Sequence, residues 1–130
     1  MSETSTADKK FQKELNSGTA ALVLLSVLGS ASGPMYGYQI AKQIESRHIE
    51  SGGKQTPMMK QGAFYPVLRS LEESGLLQSQ VEPSVSSPPR RYYRITYAGH
   101  QTLARWKDLW ERTKGFVDNM LQGVSHDKEH

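Results

Sequence analysis

Between Gly62 and Leu71 the apolar residues Phe64, Val67, Leu68 and Leu71 fall at i, i+3, i+4 and i+7, the repeat of one helical stripe. The opposite face is then free for a partner and carries Lys60, Gln61, Tyr65, Arg69 and Ser70. A proline is tolerated near the start of a helix, where few backbone bonds have formed, so Pro66 predicts a helix that begins close to Gly62. Glycine in Glu72-Glu73-Ser74-Gly75 supplies the left-handed residue that ends it, and Leu76-Leu77 opens a strand predicted to reach Val81. Residues 82–89 contain Pro83, Pro88 and Pro89, which remove donors and fix the backbone, so this arm is a loop. The chain returns as Arg90-Arg91-Tyr92-Tyr93-Arg94-Ile95, a strand with Tyr93 and Ile95 facing inward and Tyr92 and Arg94 facing out.

Upstream, Phe11 to Leu28 carries Leu15, Ala21, Leu22, Leu24, Leu25 and Leu28, too densely apolar for a surface stripe. It reads as a core helix, interrupted near Ser17-Gly18. Gly29 to Pro34 is a turn, and a second helix starts around Tyr36 to Tyr38, with Ile40, Ala41 and Ile44 on one side and Lys42, Glu45 and Arg47 on the other. Two helices therefore precede the polar-faced one, and a hairpin with a basic strand follows it. This order predicts an α+β fold, mainly α: a winged helix-turn-helix. The connection from Ser51 to Met59 is longer than a tight turn and is taken as flexible, with Met58-Met59 as packing residues.

Side chains of these types contact phosphates or donate to base edges in a major groove. The candidate DNA contacts are Tyr38, Lys60, Gln61, Tyr65, Arg69 and Ser70, with Arg90 and Arg91 of the wing on the backbone or in the adjacent minor groove. An arginine pair alone is equally the wet face of an ordinary hairpin. Its place after the polar-faced helix is what favours nucleic acid.

The last helix is predicted to start after the hydroxyl cap Thr96 and places Leu103, Trp106, Trp110, Thr113, Val117, Met120 and Val124 at alternating steps of three and four, a coiled-coil seam. Such a stripe either packs back on its own domain or meets a second subunit; the richly apolar first helix and the short chain favour a homodimer. The dimerisation candidates are Leu103, Trp106, Trp110, Val117, Met120 and Leu121. Trp106 and Trp110 lie one turn apart, so their copies would approach across a two-fold axis as flat walls. A planar ligand between them and plain aromatic packing both suit this spacing. Gly115 weakens or bends the seam locally. The expected organisation is a disordered tail over 1–8, a winged-helix domain over 9–95, a dimerisation helix over 96–124 and a second tail over 125–130.

With 130 residues and 36% apolar content, one modest core is expected. The net charge of +3 permits a polyanionic partner without requiring one. Its distribution is more telling, because between Lys54 and Arg94 six basic residues face three acidic ones and the rest of the chain balances. The absence of cysteine excludes disulfides and thiolate metal sites and makes a reducing cytoplasm the expected compartment. The apolar run Ala20 to Leu25 is too short to span a bilayer, and the first eight residues lack the pattern of a signal peptide, so no membrane association is expected.

Three stretches carry a family resemblance. Met35-Tyr36-Gly37-Tyr38-Gln39-Ile40, then Phe64-Tyr65-Pro66-Val67-Leu68 with Leu71-Glu72-Glu73-Ser74-Gly75-Leu76-Leu77, and Arg91-Tyr92-Tyr93-Arg94-Ile95-Thr96-Tyr97-Ala98-Gly99 resemble, in order and spacing, the signatures of the PadR family of transcriptional regulators. The resemblance covers roughly Leu22 to Leu121. It implies a winged-helix repressor of double-stranded DNA, dimeric through its last helix and often released by a small aromatic effector. In the multidrug-binding members similar to this chain, which follow a similar Gly-His pair (here Gly99-His100), a tryptophan matching Trp110 sandwiches aromatic compounds. Members commonly have a hydroxyl residue where Ala63 stands, so no phosphate contact is expected there.

Enzymatic signatures are missing: there is no phosphate-cradling glycine loop, no Gly-x-Ser-x-Gly elbow and no His-Glu-x-x-His. His48, His100, His126 and His130 are scattered, so neither a metal nor a cofactor is expected. Two other readings stay open: a winged-helix module that binds protein instead of DNA, and a ligand-sensing dimer with vestigial DNA binding.

Overall fold

In the computed structural model, which describes residues 5–50, 61–85 and 87–124, the chain runs α1 (Thr6–Gly29), β1 (Met35–Tyr36), α2 (Gly37–Glu50), α3 (Gln61–Glu73), β2 (Leu77–Glu82), β3 (Arg90–Ile95) and α4 (Tyr97–Gln122). Helices dominate, and the strands form one antiparallel sheet in the order β1-β3-β2. This is the mainly helical winged helix that the apolar pattern predicts. The connection 51–60 and the tail 125–130 lie outside the described residues.

The Ser5 side chain accepts from the Asp8 backbone N–H at 3.0 Å and caps α1, so helix begins at Thr6, inside the stretch expected to be tail. The helix also runs without a break through Ser17-Gly18, where a side chain at Gly18 would meet nothing within 4 Å. Only its last turns are core: Leu24, Leu25 and Leu28 are buried, while Phe11 and Leu15 are exposed. The expectation of a core helix over Phe11 to Leu28 therefore holds for its C-terminal part alone. The N-terminal half finds no cover among the described residues.

Around those leucines the core adds Ile40 and Ile44 from α2, Phe64, Leu68 and Leu71 from α3, Leu77 from β2 and Tyr93 from β3. Each element contributes one stripe or one strand face, as helix and sheet periodicity require. β1 was not legible in the sequence. Two residues cannot show an alternation, and the strand exists only because Met35 and Tyr36 pair with Tyr93 and Tyr92 of β3.

At the end of α3, Gly75 takes φ +80, the Gly75 N–H donates to the Glu72 carbonyl and the Leu76 N–H donates to the Leu71 carbonyl, both at 2.9 Å. This is a Schellman motif, and it turns the chain directly into β2, which begins one residue later than expected. α4 starts where its hydroxyl cap predicts: the Thr96 Oγ1 accepts from the Gly99 N–H at 2.9 Å. Leu103 and Trp106 then pack against the core, so the first turns of α4 belong physically to the winged-helix body.

Candidate nucleic-acid interface

Helix α3 turns Phe64, Leu68 and Leu71 inward and leaves Arg69 and Ser70 exposed. Pro66 lies inside the helix, in its second turn, just past the four residues whose N–H groups lack an intrahelical partner, so its missing N–H costs one helical bond. Tyr65 departs from expectation. Its ring is half-buried against the core, 5.9 Å from the Phe64 ring, and not on a free face. It flanks the apolar stripe, and with Arg69 and Glu72 it occupies i, i+4 and i+7, a second stripe of α3 along the side next to the sheet. Gln61 opens the helix, but its side chain, like Lys60, lies outside the described residues.

The hairpin divides the arginine pair. Strand side chains alternate between faces, and Tyr93, the buried residue of β3, marks the face toward the helices. Arg91 shares that face; Arg90, Tyr92 and Arg94 take the other. The Arg90 guanidinium stacks over the Tyr36 ring at 4.4 Å, and the Tyr92 ring meets Tyr36 edge-on at 5.3 Å. Arg90 and Arg91, grouped in the sequence as one contact, therefore serve opposite sides of the wing. Tyr38, exposed at the start of α2, is 6.5 Å from Tyr36, with the Lys42 ammonium 5.9 Å from its ring centre.

On the helix-facing side, the Arg91 guanidinium donates to the Ser79 Oγ at 2.9 Å and the Ser79 hydroxyl donates to a Glu72 carboxylate oxygen at 2.7 Å. Helix and wing are thus joined through polar atoms at the mouth of the angle between them. Burial pushes the Tyr93 phenol above its ordinary value, Arg91 opposes the shift, and Glu72 adds to it. Sequence reasoning missed Ser79 and Glu72. Extending the Tyr65, Arg69 stripe by one more turn would have reached Glu72; nothing local marks Ser79.

The tryptophans separate as well. Trp106 is half-buried on its own domain with Leu103, so these two dimerisation candidates also pack against the core of their own chain. Leu103 lies so near Gly29 of α1 that a side chain there would meet it at 2.8 Å. Trp110, Val117, Met120 and Leu121 are exposed, and so are Leu109 and Phe116. A trough of about 660 Å³ curves round the β2 edge, lined by polar residues including Gln78, Gln80, Arg90 and Arg94, with neither tryptophan in its wall. Among the described residues no three His, Asp or Glu side chains gather to hold a metal, and no helix is long and apolar enough to cross a membrane.

Comparison with known proteins agrees with this geometry. The transcriptional regulator PadR-like family matches residues 24–105. A PadR family transcriptional regulator from Eggerthella lenta is 29% identical, with a TM-score of 0.69 over 89% of this chain and 93% of its own. A PadR family transcription regulator from Clostridium difficile is 28% identical, with a TM-score of 0.61 over 80% of this chain and 99% of its own. A curated relative, Uncharacterized protein X of Lysinibacillus sphaericus, is 27% identical over 89 residues, 68% of this chain and 77% of that one. The family match begins in the buried leucines of α1, takes in α3 and the hairpin and ends on α4, and the chain belongs to the PadR-like family of transcriptional regulators, which bind DNA and are not enzymes.

Proposed function

We propose that this regulator is a cytoplasmic homodimeric repressor of a pseudo-palindromic operator, released by a planar aromatic ligand. The observation that carries the DNA reading is the tie from Arg91 of the wing through Ser79 to Glu72, which sets Arg91 beside the α3 stripe that bears the exposed Arg69; the crevice for the duplex backbone is placed between them. With α3 in a major groove, the phosphate strand bordering that groove passes between helix and wing, within reach of both arginines. Ser70, Gln61 and Lys60 serve the groove itself, and Tyr65 shapes its wall. Arg90, held on Tyr36, and Tyr38 contact the flanking backbone.

Pairing is supported by the distal part of α4, where Trp110, Val117, Met120 and Leu121 are exposed together. Apolar residues in such density on one helix call for a second surface. Two-fold pairing through them sets the two copies of α3 about 34 Å apart, one turn of duplex, and explains a symmetric operator. The same pairing brings the two Trp110 rings toward each other. A flat ligand between them favours one subunit separation, and DNA binding weakens by the differential affinity for that state.

Gel shift with DNA from the protein's own promoter region, with and without planar aromatic dyes, tests the reading. A retarded band that disappears as dye is added supports it. Retardation that no dye relieves, including dyes that quench Trp110 fluorescence, refutes ligand release. Dye binding without retardation of any duplex identifies a sensor that has lost DNA binding.

A further inference from the structure

We infer that Ser79 and Glu72 are positioning residues for DNA reading: they hold the Arg91 guanidinium at the crevice, so that an acidic and a neutral side chain set the specificity of a basic surface. The inference rests on the crevice being the DNA-binding face. Arg91 and Ser79 lie on adjacent strands, because Ser79 pairs with Tyr93 and Val81 with Arg91, so the two are diagonal neighbours on the helix-facing side. The hydrogen bonds run one way, from guanidinium to hydroxyl to carboxylate. A hydroxyl has one proton to give, and here it goes to Glu72, which leaves its lone pairs for Arg91.

Arginine on an exposed strand samples many rotamers, and a phosphate contact made by a wandering side chain is weak and unselective. Anchoring it in advance removes that ordering loss at the moment of binding. Glu72 is also the far end of the α3 stripe that carries Arg69, so the same carboxylate registers the wing against the reading helix. A negative charge at a DNA surface repels phosphate. Its presence at this mouth is offset by the geometry it imposes on Arg91.

The experiment uses the full chain and two labelled duplexes of equal length: one selected by the protein from a randomised pool and its scrambled counterpart. Binding is measured by anisotropy between about 50 and 200 mM salt. Ser79→Ala is expected to weaken the selected duplex roughly tenfold, the size of one charge-assisted hydrogen bond, with the scrambled duplex and the salt slope unchanged. Ser79→Thr, which keeps the hydroxyl, restores binding. Arg91→Ala lowers the salt slope by about 0.9, and adding Ser79→Ala to it causes no further loss, since the anchor has nothing left to hold. Glu72→Gln keeps an acceptor and removes the repulsion, so it tightens the scrambled duplex and narrows the preference.

Ser79→Ala binding like the parent while Arg91→Ala lowers the slope would overturn the anchoring and leave DNA reading by the wing intact. Additive losses from the two substitutions would also overturn it. A salt slope that Arg91→Ala leaves untouched would remove the crevice from the DNA face, and the anchoring with it.

Discussion

The Thr96 hydroxyl donates to the Gly75 carbonyl at 2.7 Å, joining the cap of α4 to the left-handed residue that ends α3. The junction is tight. The Thr96 N–H donates to the Leu76 carbonyl at 3.0 Å, and the same Thr96 oxygen caps the Gly99 N–H at 2.9 Å. The helix that bears the tryptophans and the helix that bears Arg69 therefore meet through polar atoms at one point.

Replacing Thr96 by valine keeps the shape and removes both hydroxyl bonds, the cap and the tether. Chemical denaturation should report a loss of about 1–2 kcal/mol, and Thr96→Ser should recover most of it. An unchanged denaturation midpoint for Thr96→Val would show that water replaces both partners.

Gly99→Ala places a methyl group against the Leu76 carbonyl oxygen and 2.6 Å from Ile95 Cγ1. Alanine ordinarily improves a helix by up to about 1 kcal/mol. Here a backbone carbonyl is in the way and cannot swing aside, so strain of about 1–3 kcal/mol outweighs the gain. Thermal unfolding should occur at lower temperature than in the parent. The same substitution at Gly115, open on all sides, should raise it.

Burial raises the Tyr93 phenol above its ordinary value of 10.0. A raised value in the folded state means that the stabilising contribution is complete below pH 10.0 and is lost as pH climbs through the folded value. Stability should accordingly be insensitive to this group at neutral pH and fall in the alkaline range. Tyr93→Phe should remove that part of the alkaline decline; an identical decline in the variant would assign it to other groups.

Trp106 and Trp110 should respond differently to alanine. Trp106 packs on its own domain, and its loss should lower folding stability by about 2 kcal/mol for a half-buried ring. Trp110, exposed in the single chain, should change folding little while weakening self-association and dye binding. Equilibrium sedimentation and dye titration on the two variants check this division. Equal effects of both on folding would mean that Trp110 is also an interior residue.

Much of the fold is readable because it is local. The end of α3 at Gly75, the start of α4 at Thr96 and the inward turn of Tyr93 each depend on residues within one turn or one strand step. The hairpin that bears the arginines is only half legible. Alternation places Arg90 and Arg91 on opposite faces, with Arg91 on the side of Tyr93, but that Arg91 meets Ser79 and through it Glu72 of α3 is settled by the packing of the hairpin against the helices.

The chain by itself determined α2, α3 and α4, the end of α3, the start of α4, the hairpin and the family, because periodicity and turn chemistry act between near neighbours and leave a pattern in the order of residues. Only the tertiary structure decided that β1 exists, that the first half of α1 finds no cover among the described residues, that Tyr65 tucks its ring toward the core, and that Ser79 ties Arg91 to Glu72. Those contacts join segments far apart in sequence. No repeat records such a meeting, since it depends on how whole elements pack and not on what any one of them prefers.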